Sequence, residues 1–150
     1  MSEYYTSELG RIEEILGECG VYASVVRGSS MRPLLRQGMD VVYIFPIAER
    51  VKKYDVLLYR RDGRYILHRV IGFYDGGYII RGDNTYKKEY VAFSDGVGVL
   101  AKFNKHGKEY SSDSKLFVLY GILVQVFYWP RFCLVMTKRK LEKIIKNLKK

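Results

Sequence analysis

Three short motifs place a serine, a histidine and an aspartate along the chain in an order suited to nucleophilic catalysis. Ser30 lies in Gly-Ser-Ser-Met-Arg-Pro (residues 28–33), His68 in Leu-His-Arg-Val (67–70) and Asp83 in Arg-Gly-Asp-Asn (81–84). A serine hydroxyl is a weak nucleophile until a neighbouring base removes its proton, and histidine is the commonest such base. A carboxylate can then orient the imidazole. These residue types predict serine acyl-transfer chemistry.

His68 belongs to a segment with the alternating pattern of a β-strand. In residues 64–71 the alternation puts Ile66, His68 and Val70 on one face. A half-buried histidine on an apolar face is more often a core residue than a catalyst, so this pattern alone does not identify a base. The other histidine, His106, lies in a turn-like cluster and is predicted to be an exposed loop residue.

The residues after this strand bring Asp83 into the argument. Asp75-Gly76, between two strand-like runs, is the signal of a two-residue hairpin. With that loop, His68 lies directly opposite Asp83, with Cβ atoms about 4.5–5.5 Å apart. A loop one residue later would pair His68 with Thr85 instead, and both registers stay open.

The order and spacing of five motifs resemble those of the type I signal peptidases and the related LexA-like serine peptidases. The resemblance covers residues 25–89, with a weaker continuation over 98–108. Its motifs are Gly28-Ser-Ser-Met-Arg-Pro33, Gly38-Met-Asp40, Lys53-Tyr-Asp-Val56, Leu67-His-Arg-Val-Ile71 and Arg81-Gly-Asp-Asn84. It implies the coiled, partly barrel-like β fold of those domains.

Carried over to these positions, the resemblance implies that Ser30 is the nucleophile and His68 the general base. This is the serine–histidine branch, since the bacterial enzymes and the self-cleaving repressors have a lysine where this chain has His68. The acidic partner is Asp83 or Glu89, and the hairpin register favours Asp83. Gly28 replaces a serine that helps to hold the oxyanion in many signal peptidases, so the backbone N–H of Ser30 is expected to do this.

The function expected from these motifs is that of a serine endopeptidase acting on a protein or peptide precursor. The substrate would bind as an extended strand at an exposed sheet edge near Ser30. One alternative is a non-catalytic domain on the same fold that binds a peptide or a membrane protein. Another is a regulator that cleaves itself at Cys19-Gly20, which the short tether between Gly20 and Ser30 disfavours.

The two ends of the chain differ in character. Residues 1–10 are polar and acidic and lack the membrane anchor that usually begins a signal peptidase, and residues 6–18 have the spacing of an amphipathic helix. The apolar stretch 116–129, within the wider apolar region 116–136, is shorter than the roughly 20 residues that span a bilayer. We expect it to form a buried strand or core helix.

The last segment is a basic amphipathic helix. Residues 138–150 contain seven basic residues and one acidic residue, a net +6 of the chain's +10. This helix could pack on the domain, lie on an anionic membrane surface or contact nucleic acid. Packing on the domain is favoured and nucleic acid is disfavoured. Because residues 1–10 carry no anchor pattern, we expect a cytoplasmic protein that contacts a membrane at most peripherally.

Length and composition predict one domain, residues 1–150, with a mainly β fold and a helix at each end. Neither a cofactor nor a metal is expected, because Cys19, Cys133 and the two histidines lack a metal-ligand spacing. The predicted strands are residues 21–27, 41–45, 56–60, 64–73, 78–81 and 97–104.

Overall fold

The structure is a computed structural model that describes residues 11–148. Eight antiparallel strands form a curled half-barrel sheet with helices at both ends, which confirms the predicted mainly β fold. The strand order is β1-β2-β7-β3-β4-β5-β6, and β8 pairs with β7. The strands are β1 Tyr22–Val25, β2 Val41–Pro46, β3 Val56–Arg61, β4 Arg64–Tyr74, β5 Gly77–Arg81, β6 Glu89–Ala92, β7 Gly96–Lys105 and β8 Lys108–Ser111.

The helices are α1 (Arg11–Cys19), α2 (Lys115–Val126) and α3 (Tyr128–Leu148), and a short 3₁₀ turn covers Phe93–Asp95. Helix α1 confirms the later part of the amphipathic helix predicted near the N-terminus, and it buries Ile12 and Leu16. Residues 6–10 of that prediction lie outside the described residues. The predicted basic helix is the later part of α3, except for its last two residues, which are also outside them.

All six predicted strands are present, with ends shifted by a few residues. The prediction missed β6 and β8. Each has only four residues and lies beside charged and turn-forming sequence, whereas the equally short β1 lies within the longer, mostly apolar run 21–26.

Strand β3 lies between the two hydrophobic clusters of the described chain. Val56 and Leu58 belong to the cluster under α1, whereas Leu57 and Tyr59 belong to the cluster on the opposite face. Both faces are covered, so the continuous apolar run of β3 is fully buried. The neighbouring β4 follows the same alternation: Val70 joins the second cluster and Ile66 packs against it.

The β4–β5 hairpin begins as predicted but then changes register. Tyr74 pairs with Gly77, so Asp75-Gly76 is the loop. A bulge between Val70 and Gly72 then shifts the pairing by one residue, and the ladder ends at Arg69 opposite Arg81. The prediction that His68 lies directly opposite Asp83 is therefore wrong.

Arg69 forms a buried ion pair with Asp83. Its Nε and second guanidinium nitrogen each lie 2.8 Å from a carboxylate oxygen of Asp83, and both side chains are fully buried. The third nitrogen donates to the backbone oxygen of Tyr54 at 2.8 Å, and the guanidinium lies over the ring of Phe117 at 4.9 Å. Arg69 thus joins β4, the loop after β5 and helix α2.

The apolar segment after residue 115 is helical, but the prediction that it is buried is wrong for most of its side chains. In α2 only Phe117 and Gly121 are buried, and a bend of 48° separates α2 from α3. Within residues 11–148 no single helix is long and apolar enough to cross a membrane. The bent pair formed by α2 and α3 meets that test of length and composition only when taken together.

Replacing Arg69 by methionine should lower the free energy of unfolding by about 3–5 kcal/mol, because the carboxylate of Asp83 would stay buried without its partner. Urea denaturation followed by circular dichroism measures this. Arg60→Met is the control: Arg60 is half-exposed beside Glu13, and losing it should change stability by less than about 1 kcal/mol. Equal losses in the two variants would contradict the assigned importance of the ion pair.

Candidate active site

The loop that carries Ser30 is tied to the sheet at both ends. The N–H of Val26 donates to the backbone oxygen of Asp40 at 2.9 Å, and Lys105 Nζ donates to the backbone oxygens of Pro33 and Leu34 at 2.7 and 2.8 Å. Within this loop, the side chain of Met31 is buried. These contacts hold the residues around Ser30 in one conformation.

The Asp40 carboxylate caps the same loop. It accepts hydrogen bonds from the backbone N–H and the guanidinium of Arg36, at distances between 2.7 and 3.3 Å. Burial alone would raise the pKa of Asp40, but these bonds and the charge of Arg36 lower it overall. Asp55 likewise accepts from the N–H of Lys52 at 2.7 Å.

Gly82 brings Ser30 and His68 together. An ideal Cβ at residue 82 would lie 2.8 Å from the backbone oxygen of Ser30 and 3.0 Å from Nε2 of His68. The next residues fasten this arrangement, because the N–H of Asn84 donates to the same Ser30 oxygen at 2.7 Å and its side-chain amide donates to Ser29 at 3.1 Å. The Nε2 edge of the imidazole is therefore the edge nearest to Ser30.

The opposite edge of the imidazole faces Tyr59 and Glu89. His68 Nδ1 lies 3.2 Å from Tyr59 Oη, and this hydroxyl donates to Glu89 Oε2 at 2.7 Å. Glu89 Oε1 lies 3.7 Å from Nδ1, and Arg61 donates to the carboxylate at 2.8 Å. A tyrosine hydroxyl has a single proton. Since Tyr59 gives its proton to Glu89, Nδ1 must carry the proton of the Nδ1–Oη contact, which leaves Nε2 free to accept one.

Burial and the two nearby carboxylates set the charge of this cluster. Burial lowers the pKa of His68 below its ordinary 6.5, against an opposing effect of Glu89 and Asp83. Burial would raise the pKa of Glu89, but hydrogen bonding from Tyr59 and the nearby His68 and Arg61 lower it overall. Burial and the carboxylate of Glu89 raise the pKa of Tyr59. At neutral pH the imidazole is neutral and Glu89 is charged.

Asp83 does not contact the imidazole. Its two carboxylate oxygens are taken up by Arg69, on the opposite face of β4 from His68. Of the two candidate acids, Glu89 is therefore the one that the fold connects to His68, through Tyr59. Asp83 instead anchors the loop that contains Gly82 and Asn84. Sequence analysis missed Tyr59, whose role depends on the pairing of β3 with β4.

A groove of about 370 Å³ leads to Ser30. Strand β1 forms one side of it and the β3–β4 hairpin the other, and β1 is an edge strand of the sheet. The groove is lined mainly by apolar side chains, and its polar lining residues include Ser24, Arg27, Ser30 and Arg64. Its apolar lining includes Tyr22, Val26, Met31, Leu35, Val42, Ile44, Leu58 and Leu67.

Other candidate residues lie apart from this cluster. His106 is an exposed turn residue, as predicted, with φ of 53°. Cys19 and Cys133 are free and exposed. Among the described residues no group of three His, Cys, Asp or Glu side chains could hold a metal ion. The site contains a half-buried serine, Ser30, whose backbone oxygen lies against Gly82 together with the Nε2 edge of a neutral imidazole.

No protein-family model matches this chain, and no curated protein matches it in sequence.

Titration of His68 by NMR should give a pKa below 6.5, and Glu89→Gln should lower it further by removing a charge that favours the imidazolium. The lowered pKa of His68 also makes stability depend on pH. Between the native pKa of His68 and about 6.5, the unfolded chain binds more protons than the folded chain. The free energy of unfolding should therefore decrease as the pH falls through this interval. A pKa at or above 6.5 in the natural chain would contradict the assigned environment.

The same NMR samples test which nitrogen is protonated. Nitrogen chemical shifts of the natural chain should show a proton on Nδ1 and none on Nε2. In Tyr59→Phe the acceptor of that proton is gone, so the two neutral forms should become mixed. A proton on Nε2 in the natural chain would remove the argument that this nitrogen can act as a base.

Replacing Gly82 by alanine should disturb the site, because the added methyl group meets the backbone of Ser30 and the imidazole at 3.0 Å or less. We expect a loss of about 1–3 kcal/mol in the free energy of unfolding, together with shifted NMR signals of His68. Gly17→Ala is the matched control: residue 17 lies in helix α1 with open space around it, and alanine should stabilise it by about 0.5–1 kcal/mol. An unchanged His68 spectrum in Gly82→Ala would refute the close approach.

Proposed function

We propose that this protein is a serine endopeptidase that cleaves a protein or peptide precursor through an acyl-enzyme. The observation that carries the proposal is that the backbone of Ser30 and the Nε2 edge of His68 both lie against Gly82, while Ser30 also lines the apolar groove. A histidine with only a packing role would not be expected to direct an unprotonated Nε2 toward the loop that carries Ser30.

In this mechanism Ser30 Oγ attacks the carbonyl carbon of the scissile bond while its proton passes to Nε2 of His68. The imidazolium then gives that proton to the leaving amine, and water hydrolyses the acyl-enzyme by the reverse sequence. No hydrogen bond joins Ser30 Oγ to His68 within the described chain, and such bonds often tighten only when substrate binds.

The orienting acid in the proposal is Glu89, acting through Tyr59, in place of the Asp83 that the sequence favoured. The hydroxyl of Tyr59 holds the tautomer of His68, and the charge of Glu89, 3.7 Å from Nδ1, stabilises the imidazolium as it forms. Tyr59 and His68 are buried, and the low dielectric around them strengthens the attraction between the imidazolium and Glu89.

Stabilisation of the oxyanion would come from the backbone at Ser30. Gly28 has no side chain with which to help, and the N–H of Ser30 makes no hydrogen bond to any residue in the 11–148 range. A free backbone donor beside the nucleophile is what a developing oxyanion requires.

The groove supports an extended peptide as substrate. Because β1 is an edge strand, its unpaired backbone groups can form hydrogen bonds with an added strand. Half-buried apolar lining residues such as Tyr22 and Leu67 would then receive the inward-facing side chains.

The test is a mass-spectrometric survey of protein N-termini in the native cells, comparing the natural chain with Ser30→Ala. New termini that disappear in Ser30→Ala, and in His68→Ala, would identify cleavage and its substrate. Ser29→Ala is the matched control, because Ser29 is exposed and its side chain does not line the groove; its termini should match those of the natural chain.

With the substrate in hand, His68→Ala should lower the cleavage rate by about 10²–10⁴-fold. Identical N-termini with natural protein and Ser30→Ala, at equal expression, would overturn the proposal and favour a binding domain.

A further inference from the structure

Helix α2 is apolar on all sides but packs against the sheet along one side only. Phe117 and Gly121 are buried near Arg69, whereas Leu116 is 77% exposed and Leu119 49% exposed. A helix that is apolar all round normally lies in a protein core or in lipid. Other exposed apolar residues of α2 are Val118, Ile122, Leu123 and Val126.

The exposed apolar surface continues past the bend into α3. Phe127 and Trp129 at the bend are 60% and 66% exposed. Further along α3, Leu134, Leu141 and Ile145 are exposed and recur at intervals of seven and four residues, which places them on one face of the helix. Large exposed apolar patches mark sites that bind proteins or membranes.

The charge beside this surface decides between those two occupants. Lys138 and Lys140 are exposed on α3, and residues 138–150 have a net charge of +6. Basic residues next to an apolar helix face are attracted to anionic lipid headgroups, and exposed tryptophan favours the membrane–water interface. A second copy of this chain would bring like charges together instead.

We propose that the exposed surface of α2 and α3 lies on an anionic lipid bilayer. Helix α3 also contacts the candidate active site. Arg131 donates to the backbone oxygen of Asp83 and to the side chain of Asn84, and Tyr128 donates to the backbone oxygen of Tyr86. A chain bound in this way holds Ser30 at a set position relative to the bilayer. The binding itself does not depend on catalysis by Ser30.

Flotation of the full chain with lipid vesicles tests the proposal. The chain should float with vesicles of phosphatidylcholine and phosphatidylglycerol, and much less with phosphatidylcholine alone. Raising the salt to about 1 M, where the Debye length is about 3 Å, should weaken the binding. Ser30→Ala should float like the natural chain, so a failure of the catalytic proposal would leave this result unchanged.

Two sets of variants separate the apolar and the electrostatic parts. Leu116, Leu119 and Leu123 changed together to glutamine should reduce vesicle binding by about tenfold or more, whereas the exposed residues Met39 and Tyr90, changed to glutamine elsewhere on the molecule, should not. Lys138→Glu with Lys140→Glu should reduce binding about tenfold or more. Lys102→Glu with Lys108→Glu, on β7 and β8, is the control for charge alone.

The proposal is overturned if the natural chain, folded by circular dichroism, does not float with anionic vesicles. It is also overturned if light scattering shows a dimer that the leucine variant dissociates while vesicle binding is unaffected by that variant. That result would assign the surface to a second copy.

Discussion

The buried ion pair between Arg69 and Asp83 is the interaction on which the arrangement around Ser30 depends. Neither charge could be buried alone, so each requires the other in place. Arg69 is held by β4 and by the aromatic rings of α2, and Asp83 begins the turn that reaches Ser30. One electrostatic requirement thus joins the sheet, helix α2 and the loop that carries Ser30.

The two carboxylates near His68 have different partners and different consequences. Asp83 is neutralised by a guanidinium and holds the backbone, whereas Glu89 is kept charged by Tyr59 and Arg61 and acts on the imidazole through a shared hydroxyl. Burial lowers the pKa of His68, so at neutral pH the cluster contains a neutral imidazole 3.7 Å from a charged carboxylate. A direct contact between His68 and a carboxylate would favour the imidazolium more strongly.

Much of the sheet could be predicted because alternation and turn residues are local signals. The Asp75-Gly76 loop was correct, as were the six predicted strands and the face shared by Ile66, His68 and Val70. The bulge after Val70 had one local signal that the sequence analysis did not use, the isolated Gly72 within the strand. This shift of one residue in the pairing register separates Asp83 from His68. The exposure of α2 also escaped prediction, because an apolar run gives no indication of whether protein covers it.

The sequence by itself determined the mainly β fold, the Asp75-Gly76 hairpin and the candidate pair of Ser30 and His68, because each rests on residue type and short-range spacing. Only the tertiary structure decided which acid meets His68. Tyr59 reaches the imidazole from β3, which a two-residue turn joins to β4, whereas Glu89 reaches it from β6, which pairs with β5 and not with β4. The approach of Glu89 to His68 therefore depends on the register across β4, β5 and β6 and on the bulge in β4, which the pairing of the whole sheet sets.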